Sequence, residues 1–118
     1  MKKLLFIILI VFLSSCSLQN SNLISYNSEY LGEDEKYYDQ VSEKINPKYD
    51  NGKIYISEII AVNACGDYEG DIEIVKDSIY LIQDNSSFTL CSSQQFVKVE
   101  YIINNPRGKK YKFDFKFE

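Results

Sequence analysis

The chain has no histidine and no tryptophan among its 118 residues. Without histidine there can be no Ser-His-Asp or Cys-His nucleophilic centre, and the usual zinc ligand sets are incomplete. The one side chain that titrates unperturbed near neutral pH is also missing. Long apolar runs are scarce too. The longest, Leu4 to Leu13, covers ten residues, whereas a membrane-spanning helix needs about 20. Basic residues are in the minority: from residue 16 onward eleven lysines and arginines face seventeen acids. A net-acidic domain is a poor candidate for binding nucleic acid or anionic lipid headgroups through its overall field. Its charge reads first as solubility.

Met1-Lys2-Lys3, the run Leu4–Leu13 and Ser14-Ser15 have the layout of a secretory signal: a positive start, a short apolar stretch and small residues before a cut. Leu13-Ser14-Ser15-Cys16 resembles the bacterial lipobox. That resemblance implies a diacylglycerol on the Cys16 thiol, cleavage before Cys16 and acylation of the new amino terminus, palmitate being a suitable label. Several acyl chains exceed what stable anchoring needs. Ser17 in place of Asp implies the outer rather than the inner membrane, and Ser17-Leu18-Gln19-Asn20, lacking an acid, favours the periplasmic side. The organisation expected is signal peptide 1–15, lipidated flexible tether 16–30 (rich in Ser and Asn), and one β-rich domain over 31–118.

With Cys16 assigned to the lipid, Cys65 and Cys91 remain. In an exported chain two leftover cysteines most simply pair. A bridge closing a loop of this size contributes about 3–4 kcal/mol. Their spacing is not the Cys-x-x-Cys of a redox pair.

Gly32 to Ile45 is acidic and places Tyr37, Tyr38, Val41 and Ile45 near helical spacing, which predicts a short amphipathic helix closed by Asn46-Pro47. From Lys53 the period becomes two. Ile54 and Ile56 alternate with polar partners, and Ile59 to Val62 is continuously apolar, hence buried on both faces or bulged. A two-residue loop at Lys76-Asp77 would pair Ile74 with Ile79 and Ile72 with Leu81. Gln83 to Ser87 is a turn cluster, and Phe88 to Cys91 a short strand. Val97, Val99, Tyr101 and Ile103 share one face, as do Tyr111, Phe113, Phe115 and Phe117, with Asn104 to Gly108 between them. These two segments predict a hairpin. Opposing Tyr101 to Tyr111 sets Lys98 against Asp114 and Glu100 against Lys112, the register that avoids like charges. The fold class expected is all-β: a small antiparallel sandwich or open barrel of about six strands, with a short N-terminal helix.

Asn63 to Gly66, Gly70 to Ile72, Asp77 to Leu81, Cys91, Tyr101 to Pro106 and the Lys-x-Lys-x-Asp ending together resemble small Bacteroidetes-type lipoproteins. That resemblance implies a fold and a location but no catalytic residue. Gly70 to Leu81 is also similar to the strand-hairpin pattern of calycin-like lipoproteins, which would imply a ligand cavity.

Asp67, Glu69 and Asp71 alternate as calcium ligands could, but the sixth and twelfth places of an EF-hand loop hold Ile72 and Ser78. They read as a solvated strand, and Glu33-Asp34-Glu35 as a solvated helix start. No catalytic residue, metal or cofactor is assigned. The ten tyrosines suit an interface. Tyr37, Tyr38, Tyr49 and the turn residue Arg107 are the candidate partner surface. The expected role is non-enzymatic: a lipid-anchored structural or protein-binding module with an envelope protein as partner and no nucleic acid. A calycin-like ligand carrier and a periplasmic immunity or inhibitor lipoprotein are the alternatives.

Overall fold

The computed structural model describes residues 21–41, 43–87 and 89–118. The signal segment, the lipobox and Cys16 therefore lie outside the described residues. Seven strands form two sheets: β1 (Leu23–Gly32), β2 (Lys48–Asp50), β3 (Lys53–Asn63), β4 (Tyr68–Val75), β5 (Ser78–Asn85), β6 (Gln94–Asn104) and β7 (Lys112–Phe117). One sheet runs β1-β6-β3-β2 and the other β4-β5-β7. They face each other as a sandwich rather than closing into a barrel.

Two hairpins follow from local chemistry. Asn51 and Gly52 both have positive φ and join Asp50 to Lys53. This is the type I′ geometry that an Asn-Gly pair adopts most readily. The turn at Lys76-Asp77 pairs Ile74 with Ile79 and Ile72 with Leu81, as the alternation predicts, and Lys76 takes the positive φ. The apolar run in β3 is not bulged, for its pairing with β6 is continuous from Lys53 to Asn63. Ile60 and Val62 enter the core, while Ile59 and Ala61 are half-buried on the other face.

Four expectations are corrected. Residues 23–30 are not tether, because β1 pairs with β6 from Leu23 to Gly32 and the domain starts earlier. β6 offered an open edge whose pairing outweighs the Ser- and Asn-rich composition. The N-terminal helix is a single 3-10 stretch, Glu35–Gln40, capped by the Asp34 carboxylate accepting from the Lys36 N–H. Residues 89–91 are not a strand. The largest correction concerns β6 and β7, which are not a hairpin. β6 lies between β1 and β3, and β7 crosses to the other sheet, where it runs parallel to β5 with Phe113 beside Ile79 and Phe115 beside Leu81. Lys98 accordingly sits opposite Glu29 and Ile59, not Asp114. Both segments do present apolar faces to one core, but from opposite sheets.

That core contains Ile54, Ile56, Ile60 and Val62 of β3, Val97, Val99, Tyr101 and Ile103 of β6, and Ile72, Ile79 and Leu81 of β4 and β5. Fully burying each aliphatic side chain contributes about 1.5–3 kcal/mol. One polar network lies among them. The Tyr26 hydroxyl donates to Gln83 Oε1 (3.1 Å), Gln83 Nε2 donates to the Tyr101 oxygen (2.7 Å), and the Tyr101 hydroxyl donates to the Ile82 carbonyl (2.8 Å). Gln83 and Tyr101 are fully buried. Burial first, then the neighbouring Tyr26, pushes the Tyr101 phenol well above its ordinary range, while the Gln83 hydrogen bond opposes the shift. The Tyr26 ring lies so close to the β4 backbone that only glycine fits at position 70.

Replacing Tyr101 with Phe leaves the Gln83 amide and the Ile82 carbonyl unmatched and should cost about 1–3 kcal/mol in denaturant unfolding. Because the folded-state pKa of Tyr101 is raised, its stabilisation is fully present below about pH 10 and declines as pH rises further. The Tyr101→Phe variant should show a shallower alkaline decline than the wild type, and an identical slope would contradict this. Gly70→Ala should cost about 1–3 kcal/mol by overpacking. In a Tyr26→Ala background the same change should cost far less, a coupling read by a double-mutant cycle.

Candidate interaction surfaces

The sandwich has two ends with different chemistry. One end holds the start of β1, the Asn51-Gly52 and Lys76-Asp77 turns, and the 105–111 crossover. The other holds the end of β1, the 3-10 stretch, the cysteines and the end of β7. The four sequence-picked partner residues split between them.

Tyr37 and Tyr38 belong to the second end. Their rings cover Phe96 on the outer face of its sheet, at 5.8 and 5.0 Å between centroids. Phe96 is thereby buried although it points away from the core. The Tyr38 hydroxyl donates to Gln94 Oε1. Tyr49 is at the first end, half-buried against the core; its hydroxyl accepts from the Tyr111 N–H and its face holds Lys110 Nζ at 3.7 Å. Arg107 is exposed in the crossover nearby. The four therefore form no common surface, and Tyr37 and Tyr49 act largely as packing.

Cys65 and Cys91 sit at disulfide distance, with Cα atoms 5.7 Å apart. Asn63, at the end of β3, holds both strands of this staple. Its Oδ1 accepts from the Cys65 and Cys91 N–H groups (3.0 and 3.2 Å), and its Nδ2 donates to the Cys91 carbonyl (2.6 Å). The clamp role of Asn63 needs the 28-residue separation to be closed in space.

Around this stapled end, side chains that would gain from burial face solvent. Tyr30 is 63% exposed, Tyr38 56%, Leu90 68% and Phe117 55%. A cleft of about 280 Å³ opens beside Tyr30, lined also by Tyr68, Asp67 and Gln95 above the buried Gln83. It sits just below the usual range for small-molecule sites, about 300–1,000 Å³.

A recess of about 650 Å³ follows the edge of β3 and includes Glu58 and Glu100. Two carboxylates in a cleft raise the question of acid-base chemistry. Their positions argue against it. Glu58 pairs with Val99 and Glu100 with Ser57, one residue apart in register, so they point to opposite faces of the sheet. Glu58 is buried and accepts from the Asn46 N–H at 2.8 Å, which fixes the 44–48 segment across the sandwich edge. Glu100 is engaged with Lys98. Among the described residues no group of three His, Cys, Asp or Glu side chains could hold a metal ion, and no helix is long and apolar enough to cross a membrane. Between the sheets the interior is filled by Tyr101, Gln83 and Leu81.

Comparison with known proteins returns no matching family model, no matching curated protein and no matching solved structure.

The Asn63 clamp predicts that Asn63→Ala slows closure of the Cys65–Cys91 bridge and lowers stability beyond loss of the bridge itself. Trapping free thiols during oxidative refolding reads the first effect. Denaturant unfolding under reducing conditions reads the second, where about 1–3 kcal/mol is expected from the unmatched backbone groups.

Proposed function

We propose that this protein is a non-enzymatic envelope lipoprotein: a β-sandwich tethered through acylated Cys16 that offers its stapled end to a partner protein. The observation that carries the reading is the exposure of Tyr30, Tyr38, Leu90 and Phe117 at the end of the sandwich away from the start of β1. Aromatic side chains of this kind dominate protein interfaces. A disulfide between Cys65 and Cys91 suits an oxidising compartment and holds that end rigid. The chain enters the fold at the opposite end, so an anchored domain projects the aromatic end outward. Outer-membrane residence on the periplasmic side is part of the proposal, on the strength of Ser17 and the unacidic residues 17–20.

Two measurements test it. Radiolabelled palmitate should enter the wild-type chain and not the Cys16→Ser variant; equal labelling, or none in either, defeats the anchor. A photo-crosslinking residue at position 30, 38 or 90 should give one discrete adduct in cells, while position 98 in the middle of the sheet should not. Recovery of only abundant bulk envelope proteins from all four positions defeats the binding role.

A further inference from the structure

The net-acidic chain is strongly polarised. Lys53, Lys76, Arg107, Lys109, Lys110 and Lys112 are all exposed and all lie at the end where the chain enters β1. Asp50 and Asp77 lie in the same turns, and Glu43 and Asp114 line a recess with Lys112. Outside these six cations and the two turn acids, the chain from residue 16 holds five cations against fifteen acids.

The placement follows from the hydrogen bonds of that end. The Asn104 N–H donates to the Asn22 carbonyl (2.7 Å), which fixes the chain entry beside the crossover. The Asn105 N–H donates to the Gly52 carbonyl and the Lys112 N–H to the Asp77 carbonyl, bringing the two turns to the same level. Asp77 is taken up by Lys109 at 2.9 Å, which holds its carboxyl below the usual range. A recess of about 270 Å³ between Asn22, Asn104, Asn105, Arg107 and Lys109 opens on this face.

Tether length then decides what this face meets. Seven residue steps separate Cys16 from Leu23, so even a fully extended connection holds the start of β1 within about 25 Å of the lipid. We infer that the basic end is a docking face for anionic phospholipid headgroups of the leaflet that carries the anchor. The inference rests on the reading of Cys16 as the lipidated residue.

Overall charge does not oppose it. An eleven-residue strand such as β6 is about 35 Å long, and the Debye length at physiological ionic strength is about 8 Å. Acids at the stapled end are screened from the surface; the six cations, in contact with it, are not. Juxtamembrane clusters of four to eight basic residues bind anionic lipid in this way. The low net charge favours this short-range face over long-range attraction to a polyanion in solution.

The test is vesicle co-sedimentation of the mature chain from residue 16 carrying Cys16→Ser, so that no acyl chain contributes. Vesicles with one third phosphatidylglycerol should retain the protein at low salt, vesicles of phosphatidylcholine should not, and 0.5 M NaCl should release it. Arg107→Glu/Lys110→Glu should weaken retention at least ~tenfold. Lys36→Glu/Lys98→Glu, the same change in net charge at sites removed from the basic end, should leave it unchanged. Equal losses in both variants, equal retention by the two vesicle types, or capture by heparin with none by vesicles would each overturn the inference. Palmitate labelling is independent of this assay. Loss of labelling with vesicle binding intact defeats only the anchor, and the converse defeats only the docking face.

Discussion

Gln83 holds the two sheets in one relative position. It is the only core-facing polar side chain in the middle strand of its sheet, and it reaches two tyrosines of the other sheet at once, from β1 and from β6. A core made only of Ile, Val and Leu would let two sheets slide by a residue pair at modest cost. A buried amide cannot slide, because every lost partner leaves a desolvated donor or acceptor. Gly70 belongs to the same constraint, for Tyr26 reaches Gln83 only by lying against bare β4 backbone. This contact joins β1 to the opposite sheet, while the pairing of β1 with β6 sets where the chain enters the fold.

Within-sheet alternation was legible in the sequence; sheet membership was not. The β4–β5 hairpin could be read residue by residue because its two-residue turn fixes the register locally. The same logic at Asn51-Gly52 fixes β2 against β3, and the favoured dipeptide was there to be read. The pairing of β6 with β7 failed for a physical reason. A period of two says that Phe113 and Phe115 face a core, and sandwiches supply that core from either side. The seven residues 105–111 are long enough to cross, and charge complementarity at Lys98 and Glu100 was satisfied by Glu29 and an in-strand pair instead. Opposed charges contribute too little to choose between strand neighbours when a whole apolar face is at stake.

Candidate sites fared similarly. Cys65 and Cys91 were legible as a pair because arithmetic alone leaves them together, and they lie at bonding distance. Tyr37 and Tyr38 were recognisable as contact-making side chains, but their first contact is Phe96 of their own chain. Tyr30, Leu90 and Phe117 were invisible as a set, since their proximity to one end depends on two different strand pairings and on the Cys65–Cys91 contact. The basic end was hidden by averaging. Net charge counts residues and discards position, whereas three separate segments of this chain bring their cations to one end.

Polarity of this kind has a mechanical consequence for a tethered domain. A cationic end and an acidic body near an anionic surface experience a torque as well as a force. The cations are drawn inward and the acids pushed out, so the long axis tends toward the surface normal. An acyl anchor alone fixes distance and leaves orientation free. On the proposed acylation of Cys16, the chain that leads to the anchor starts beside Asn22 and Asn104, and the proposed electrostatic face would act at the same point, converting a leash into a stand. In that proposed arrangement the exposed aromatics would sit about one strand length from the lipid, where a partner would reach them without competing with the membrane for the same apolar side chains.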